Sequence, residues 1–341
     1  MIVTYLRSSS YNNWRFCEMQ YFITYVLGYR ADSGKAAEAG TTIHKVMEIL
    51  AFLKQFQQNN PKRKFLEIDD DVAGKIKVKV SEFESEEFIE SLIDKCYIEY
   101  TSQSKHHWTK ADRKKASRWT WLGLDYNKRQ FDPRIRNIVE PEPHFDIMID
   151  EPWAKFEYDA DGETISGNLA IKGTIDLVTK VSDNTIEVID YKTGQRKNWN
   201  DNPPTVKTYE DYKTDAQLLL YYYAISHLFP EYEHTIMTVF WVRDGGPFSM
   251  CYDKSDRDMF LGMLKDRFEE IKNNSNPKPL SVDRRGFKCE KLCHFCKNKW
   301  EGSDKNMCQY IGDHLDKHGM DKTIVELSKP GHSVGYYQAP G

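Results

Sequence analysis

The chain has no long apolar run among its 341 residues, so it offers no segment able to cross a bilayer as a helix. Its opening, Met1-Ile2-Val3-Thr4-Tyr5, lacks the charged and apolar stretches of a secretory signal. It has no surplus of positive charge: 48 Lys and Arg stand against 52 Asp and Glu, a formal net charge of −4. That excludes a uniformly basic nucleic-acid coat, though not a local basic track beside an acidic site. No internal repeat is visible. Cysteine is scarce, and the odd total of seven cannot form a fully paired disulfide framework. Hydrophobic residues make up 40%, enough to bury a full core as one large domain or two small ones.

Against that background two aspartates stand out. Gly173-Thr174-Ile175-Asp176-Leu177-Val178 is followed, across the polar turn Ser182-Asp183-Asn184, by Val188-Ile189-Asp190-Tyr191-Lys192-Thr193-Gly194. The β-branched, apolar composition predicts strands over Ile171–Val181 and Thr185–Tyr191. A three-residue loop pairs Val181 with Thr185 and sets Asp176 opposite Asp190, with Cβ atoms about 5 Å apart. Lys192, two residues on, then points to the same face. A slip of one residue would separate the carboxylates. Two carboxylates beside an ammonium suit a hard divalent cation, Mg²⁺ or Mn²⁺, and a phosphodiester. Lys192 would orient the attacking water or neutralise charge growing on phosphorus. The plainer reading is a solvated surface hairpin, but the apolar flanks argue for a buried strand, where an unpaired charge is costly.

The cysteines give a second signal. Cys17, Cys96 and Cys251 are scattered, whereas Cys289, Cys293, Cys296 and Cys308 crowd one segment. Such clustering points to metal ligation in a reducing compartment rather than to disulfides. The four local cysteines suffice for a tetrahedral structural zinc site.

The stretch Gly173-Thr-Ile-Asp176 with Ile189-Asp190-Tyr-Lys192-Thr-Gly resembles the PD-(D/E)XK nuclease superfamily, in its RecB-like exonuclease branch. That branch includes the nuclease domains of RecB and AddB and the nucleases of CRISPR spacer acquisition. Gly40-Thr41-Thr42-Ile43-His44, running on to Glu48, is similar to the family's N-terminal helix with its metal-binding histidine. Gln217 to Tyr221 resembles the Gln-X-X-X-Tyr motif that follows the Asp-X-Lys strand; i and i+4 share one helical face. The resemblance implies that this face meets DNA and the active site. It implies Asp176, Asp190 and His44 as metal ligands. It also implies a glutamate before the hairpin, for which Glu140 and Glu142 both stand available. The iron–sulfur-containing subgroup takes one N-terminal cysteine and a C-terminal trio, which here would be Cys17 with Cys293, Cys296 and Cys308, Cys289 being a spare or alternative ligand. Zinc on the local cysteines stays open beside a 4Fe-4S cluster. Either would be a structural staple; the cluster would tie the N-terminal arm to the C-terminal segment.

The expected fold is α/β: a restriction-endonuclease-like core, a mixed central sheet flanked by helices, with a helical insertion and a cysteine-ligated staple. The expected division is an arm over 1–30, a nuclease core over 31–280 with an insertion near 59–135, a cysteine segment over 281–312 and a tail over 313–341 that is loose from Gly331. Helices are expected over Tyr11–Leu27, Thr41–Gln57, Val80–Tyr100, Lys110–Gln130, Thr208–Leu228 and Asp256–Asn273. Lys105 to Trp119 is basic and aromatic-laced; Lys114 and Lys115 would track phosphates while rings stack on bases. The alternative there is a solvated helix with its Trp side chains packed inward. Arg284, Arg285, Lys288 and Lys291 form a smaller basic group that could flank a DNA exit.

The expectation is a Mg²⁺- or Mn²⁺-dependent deoxyribonuclease, an exonuclease acting on single-stranded or free DNA ends in repair, recombination or replication. A helicase or recombination protein is the expected partner, in a nucleoid-associated cytoplasmic setting or, for a viral protein, the host cytoplasm. The alternatives are an assembly subunit with an idle site and a zinc-stapled endonuclease.

Overall fold

The computed structural model describes residues 1–332 except 161, 162, 200, 202 and 245. Of the tail expected from Gly331, all but Gly331 and His332 lies outside the described residues. A five-stranded mixed sheet forms the centre: β1 (Ile138–Pro141), β2 (Leu177–Ser182), β3 (Thr185–Lys192), β4 (His234–Trp241) and β5 (Gly246–Cys251). The order across the sheet is β5-β4-β3-β2-β1. Only β3 and β4 run parallel; the other neighbours are antiparallel.

β3 is the middle strand. Its apolar, β-branched run is buried from Ile186 to Tyr191 because both faces of the sheet are covered. Alternation sorts the side chains. Ile186 and Val188 join a core that contains Leu218, Leu219 and Leu220 of the helix Ala216–Leu228. Ile189 and Tyr191 join a second core with Val46, Leu50 and Leu53 of the long helix Lys35–Asn59. Asp190 and Lys192 have the parity of Ile186 and Val188, so they face the Gln217 helix.

Three expected continuous elements are broken, each for a local reason. The helix expected over Tyr11–Leu27 stops at Phe16 and restarts at Glu18, because Cys17 is extended at φ −165°. The helix expected over Thr208–Leu228 resets at Asp215, which caps the second piece by accepting from the Gln217 N–H at 2.9 Å. The strand expected over Ile171–Val181 is two strands in two sheets. Ala170–Thr174 pairs with Tyr5–Leu6 and His144–Met148, and the chain passes to the central sheet at Ile175–Asp176. The hairpin turn also differs. Thr185 pairs with Ser182, and a bulge before Ile186 restores the register that joins Ile189 to Leu177. One step further along, that register sets Asp176 across from Asp190.

The insertion is not all helical. Phe65–Asp70 and Gly74–Lys79 form a hairpin ahead of the helices Glu86–Ser102 and Lys110–Leu124. Its signal is the strict alternation Lys75-Ile76-Lys77-Val78-Lys79. Residues 307–327 form two further helices, Met307–His318 and Met320–Leu327. Among the described residues no helix is long and apolar enough to cross a membrane.

Candidate active site

The two cores meet at the end of β3, and the polar residues gather there. Asp176 has left the ladder where the chain changes sheets, so its carboxylate substitutes for a backbone acceptor and takes the Tyr191 N–H at 2.8 Å. His44, on the long helix, brings Nδ1 to 3.4 Å from Asp176 Oδ2. Lys192 Nζ lies 2.7 Å from Asp190 Oδ2 and donates to Gln217 Oε1 at 3.1 Å. Gln217 Nε2 donates to Asp190 Oδ1 at 3.3 Å and to the Tyr221 hydroxyl at 2.8 Å. Gln217 thus holds both members of the Asp-X-Lys pair, and buried Tyr221 holds Gln217.

Glycines let the supports approach. A Cβ at Gly40 would collide with the Thr193 hydroxyl, directly after Lys192. At Gly173 it would strike the Phe145 ring of the paired strand, which stands perpendicular to the Tyr221 ring with centroids 6.2 Å apart. The glycines of both motifs therefore admit side chains that set the site. Gly40→Ala requires only a turn of the Thr193 hydroxyl, whereas Gly40→Val must push the Lys192–Thr193 backbone. DNA-cleavage assays should find Gly40→Ala near wild type and Gly40→Val down by roughly a hundredfold, the scale of a misplacement of about 1 Å. Equal activity in the two would remove Gly40 from the site's support.

The electrostatics divide the carboxylates. Burial would raise Asp176, but His44, Lys192 and the Tyr191 N–H outweigh it and hold its carboxyl below the usual range. Asp190 is pushed up to about 6 by burial and by the charge of Asp176, against the pull of Lys192. Burial depresses His44, yet Asp176 and Asp190 bring it above the ordinary imidazole value. A pair pushed apart in this way is typical of a working site. Sequence reading left one participant open. Glu142, at φ 50° after β1, lines a cavity of about 40 Å³ with His44, Glu48 and Asp176; Glu140 does not. Glu48 is pushed up to about 7 by burial and by Glu142, although Lys45 opposes the shift.

Both implied metal sites can be tested against these donors. Asp190 is buried with its Oδ2 2.7 Å from the Lys192 ammonium, and Asp176 Oδ2 lies 3.4 Å from His44 Nδ1, so two carboxylates and an imidazole are the donors at the centre of the site. Hard oxygen donors with one imidazole fit Mg²⁺ or Mn²⁺ in kind. Cys17, Cys289, Cys293, Cys296 and Cys308 all line one apolar cavity of about 10 Å³, together with Phe16, Ile23, Leu280 and Phe295. Burial raises the Cys17 thiol, and Cys293 is raised because its S–H donates to Cys296 and because it is buried. Soft thiols in an apolar pocket fit zinc or an iron–sulfur cluster in kind. Among the described residues, no three His, Cys, Asp or Glu side chains converge at ligating distance, so an ion at either place would draw them inward.

The model of the PD-(D/E)XK nuclease superfamily matches residues 8–300. The chain belongs to this superfamily. The mixed sheet with helices on both faces is the corresponding α/β fold. A solved structure from Eubacterium rectale, named "Putative exonuclease", is similar over 90% of this chain and 92% of its own length, at 12% identity and a TM-score of 0.42. No curated protein matches. Membership makes the chain a member of a nuclease family, with DNA as the implied substrate and a divalent metal as the typical cofactor.

In the basic, aromatic stretch the tryptophan rings are engaged by neighbouring side chains. Trp119 is buried between Lys115, at 4.5 Å, and Arg243, at 3.8 Å. Trp121 donates to Glu90, and Trp108 is covered by Lys35 and the edge of Tyr97. The inward-packed reading therefore holds for the tryptophans. Lys114 and Lys115 are exposed on the outer side of the same helix.

Proposed function

We propose that this chain is a Mg²⁺- or Mn²⁺-dependent DNA exonuclease that prefers single-stranded or free ends and serves DNA repair, recombination or replication. The observation that carries the reading is the constellation at the end of β3. Asp176, Asp190, Lys192 and His44, which lie in three separate stretches of sequence, meet in one place with Gln217 bonded to two of them. An idle assembly subunit would have no use for it.

Asp176, Asp190 and His44 would hold a divalent ion, which would supply positive charge to polarise the phosphoryl oxygen and ease ionisation of water. The chain's own residues do the rest. Lys192, half-buried and fixed by Asp190 and Gln217, orients the attacking water and offsets negative charge on the phosphorus oxygens. Gln217 keeps Lys192 from swinging away, and Tyr221 keeps Gln217 in its rotamer. Lys114 and Lys115 track the strand's phosphates. Cys17, Cys293, Cys296 and Cys308 hold a 4Fe-4S staple in this reading. The presence of Cys17 in the same cavity as the C-terminal four supports it, since a local zinc site has no need of Cys17.

The exonuclease reading is tested with linear and closed circular single-stranded DNA of one sequence. The linear form should be degraded with Mg²⁺ or Mn²⁺ and the circle should survive; rapid cutting of circles would make the protein an endonuclease. DNA affinity should fall as salt rises. Lys114→Glu with Lys115→Glu should weaken binding about tenfold or more and leave metal binding intact. Unchanged affinity would return that helix face to ordinary solvated surface.

A further inference from the structure

The chain leaving Lys192 forms a short ribbon, Lys197–Asn198 paired with Thr205–Val206. Its base is fastened to the active site. The Arg196 N–H donates to Asp244 at 2.9 Å, and Arg196 Nη1 donates to the Lys207 carbonyl at 2.9 Å. Lys207 Nζ donates at 2.8 Å to Asp215, the residue that caps the Gln217 helix. Beyond the first strand of the ribbon comes Trp199. Its ring lies nearly parallel to Phe287, with planes 12° apart and centroids 6.4 Å apart. Phe287 belongs to the cysteine-bearing segment, some ninety residues on in sequence, and is 48% exposed.

The surroundings are cationic. Lys197 Nζ lies 5.6 Å from the Trp199 ring centre. From residue 281 to 299 the exposed cations Arg284, Arg285, Lys291 and Lys297 outnumber Asp283 and Glu290, whereas Lys288 is buried and Lys299 pairs with Asp304 at 3.6 Å. Residues 281–287 are all exposed, Val282 at 81%. Exposed apolar and aromatic side chains among cations do not suit a basic or a purely apolar partner. They suit a polyanion that also has flat apolar faces, which is a single nucleic-acid strand. A duplex hides those faces in its stack.

We propose that Trp199 and Phe287 form a stacking station for the bases of single-stranded DNA, set between the active site and the cysteine segment, with Lys197, Arg284 and Arg285 on the phosphates. The assignment rests on the nuclease reading of the site and adds where the strand runs beside it. Stacking costs a protein on the order of tenfold in affinity for each ring removed.

The test uses the full-length protein without divalent metal, so that the strand is bound but not cut. Trp199→Ala and Phe287→Ala should each weaken binding of an oligothymidylate by about tenfold, while Trp199→Tyr keeps most of the affinity. A strand carrying 5-iododeoxyuridine should photo-crosslink to wild-type protein in a peptide containing Trp199 or Phe287. That readout decides the matter even where a variant fails to fold. Unchanged affinity in both Ala variants, or crosslinks only to other peptides, overturns the station. The nuclease reading is judged separately, by whether wild-type protein with Mg²⁺ degrades the same strand: cleavage with no crosslink here sinks the station alone, and a crosslink with no cleavage sinks the enzyme alone.

Discussion

Asp190→Asn and Lys192→Ala should each lower Mg²⁺- or Mn²⁺-dependent DNA cleavage by about a thousandfold or more, with the fold retained. Asp190 is 2% exposed and shares Lys192 and Gln217 as partners. Asparagine keeps its shape and its bond to Gln217 but removes the charge that a divalent ion requires. Lys192→Ala removes the ammonium that, in the proposed mechanism, faces the reacting phosphate. Loss of charge stabilisation at a desolvated site is worth several kcal/mol in the transition state, and each ~1.4 kcal/mol is tenfold in rate. The two variants differ in stability. Lys192→Ala leaves Asp190 buried without its cation, which is destabilising unless the carboxyl takes up a proton. Its pKa, already pushed up to about 6, makes that uptake easy. Thermal melting and circular dichroism should therefore show a native Asp190→Asn and a modestly weakened Lys192→Ala. Wild-type turnover in a well-folded Asp190→Asn would falsify the site assignment.

The second large effect concerns the cysteines. Cys17→Ser should cost as much bound metal and solubility as Cys293→Ser, with melting temperature down by roughly 10 °C or more, while Cys289→Ser stays near wild type. Cys17 sits in an extended break between two short helices, and its thiol shares a cavity with residues more than 270 positions away. A ligand there closes a very long loop, so its loss releases both the N-terminal arm and the C-terminal segment. Anaerobically purified wild-type protein should be brown and contain iron and acid-labile sulfide. Stoichiometric zinc, together with a silent Cys17→Ser and a damaging Cys289→Ser, would replace the cluster with a local zinc site.

These predictions rest on residues that differ in how far they could be read beforehand. Asp190 and Lys192 were legible because a buried strand with period two fixes which side chains share a face, and charges are rare on such a strand; Asp176 was assigned beside them by the hairpin register, although it sits where its strand breaks. The i, i+4 relation of Gln217 and Tyr221 was legible for the same kind of reason. What Gln217 binds was not, because its partners lie 27 and 25 residues earlier in the chain. Glu142 could not be told from Glu140 because the choice depends on a left-handed turn at the end of β1. The tryptophans of the Lys105–Trp119 stretch looked available because composition reports ring and charge but not direction. Arg243 and Lys35, from distant elements, cover both.

The sequence by itself carried the resemblance to the superfamily in its Asp176, Asp190-X-Lys192, His44 and Gln217–Tyr221 motifs, while the α/β class and the short list of charged residues follow from local alternation, helical period and residue chemistry. Tertiary structure decided where the strand through Asp176 breaks, since only the passage between two sheets frees that carboxylate for the Tyr191 N–H. It also decided that five cysteines from both ends of the chain line one cavity, and that Trp199 meets Phe287. Such contacts depend on packing between segments far apart in sequence, and no local pattern encodes them.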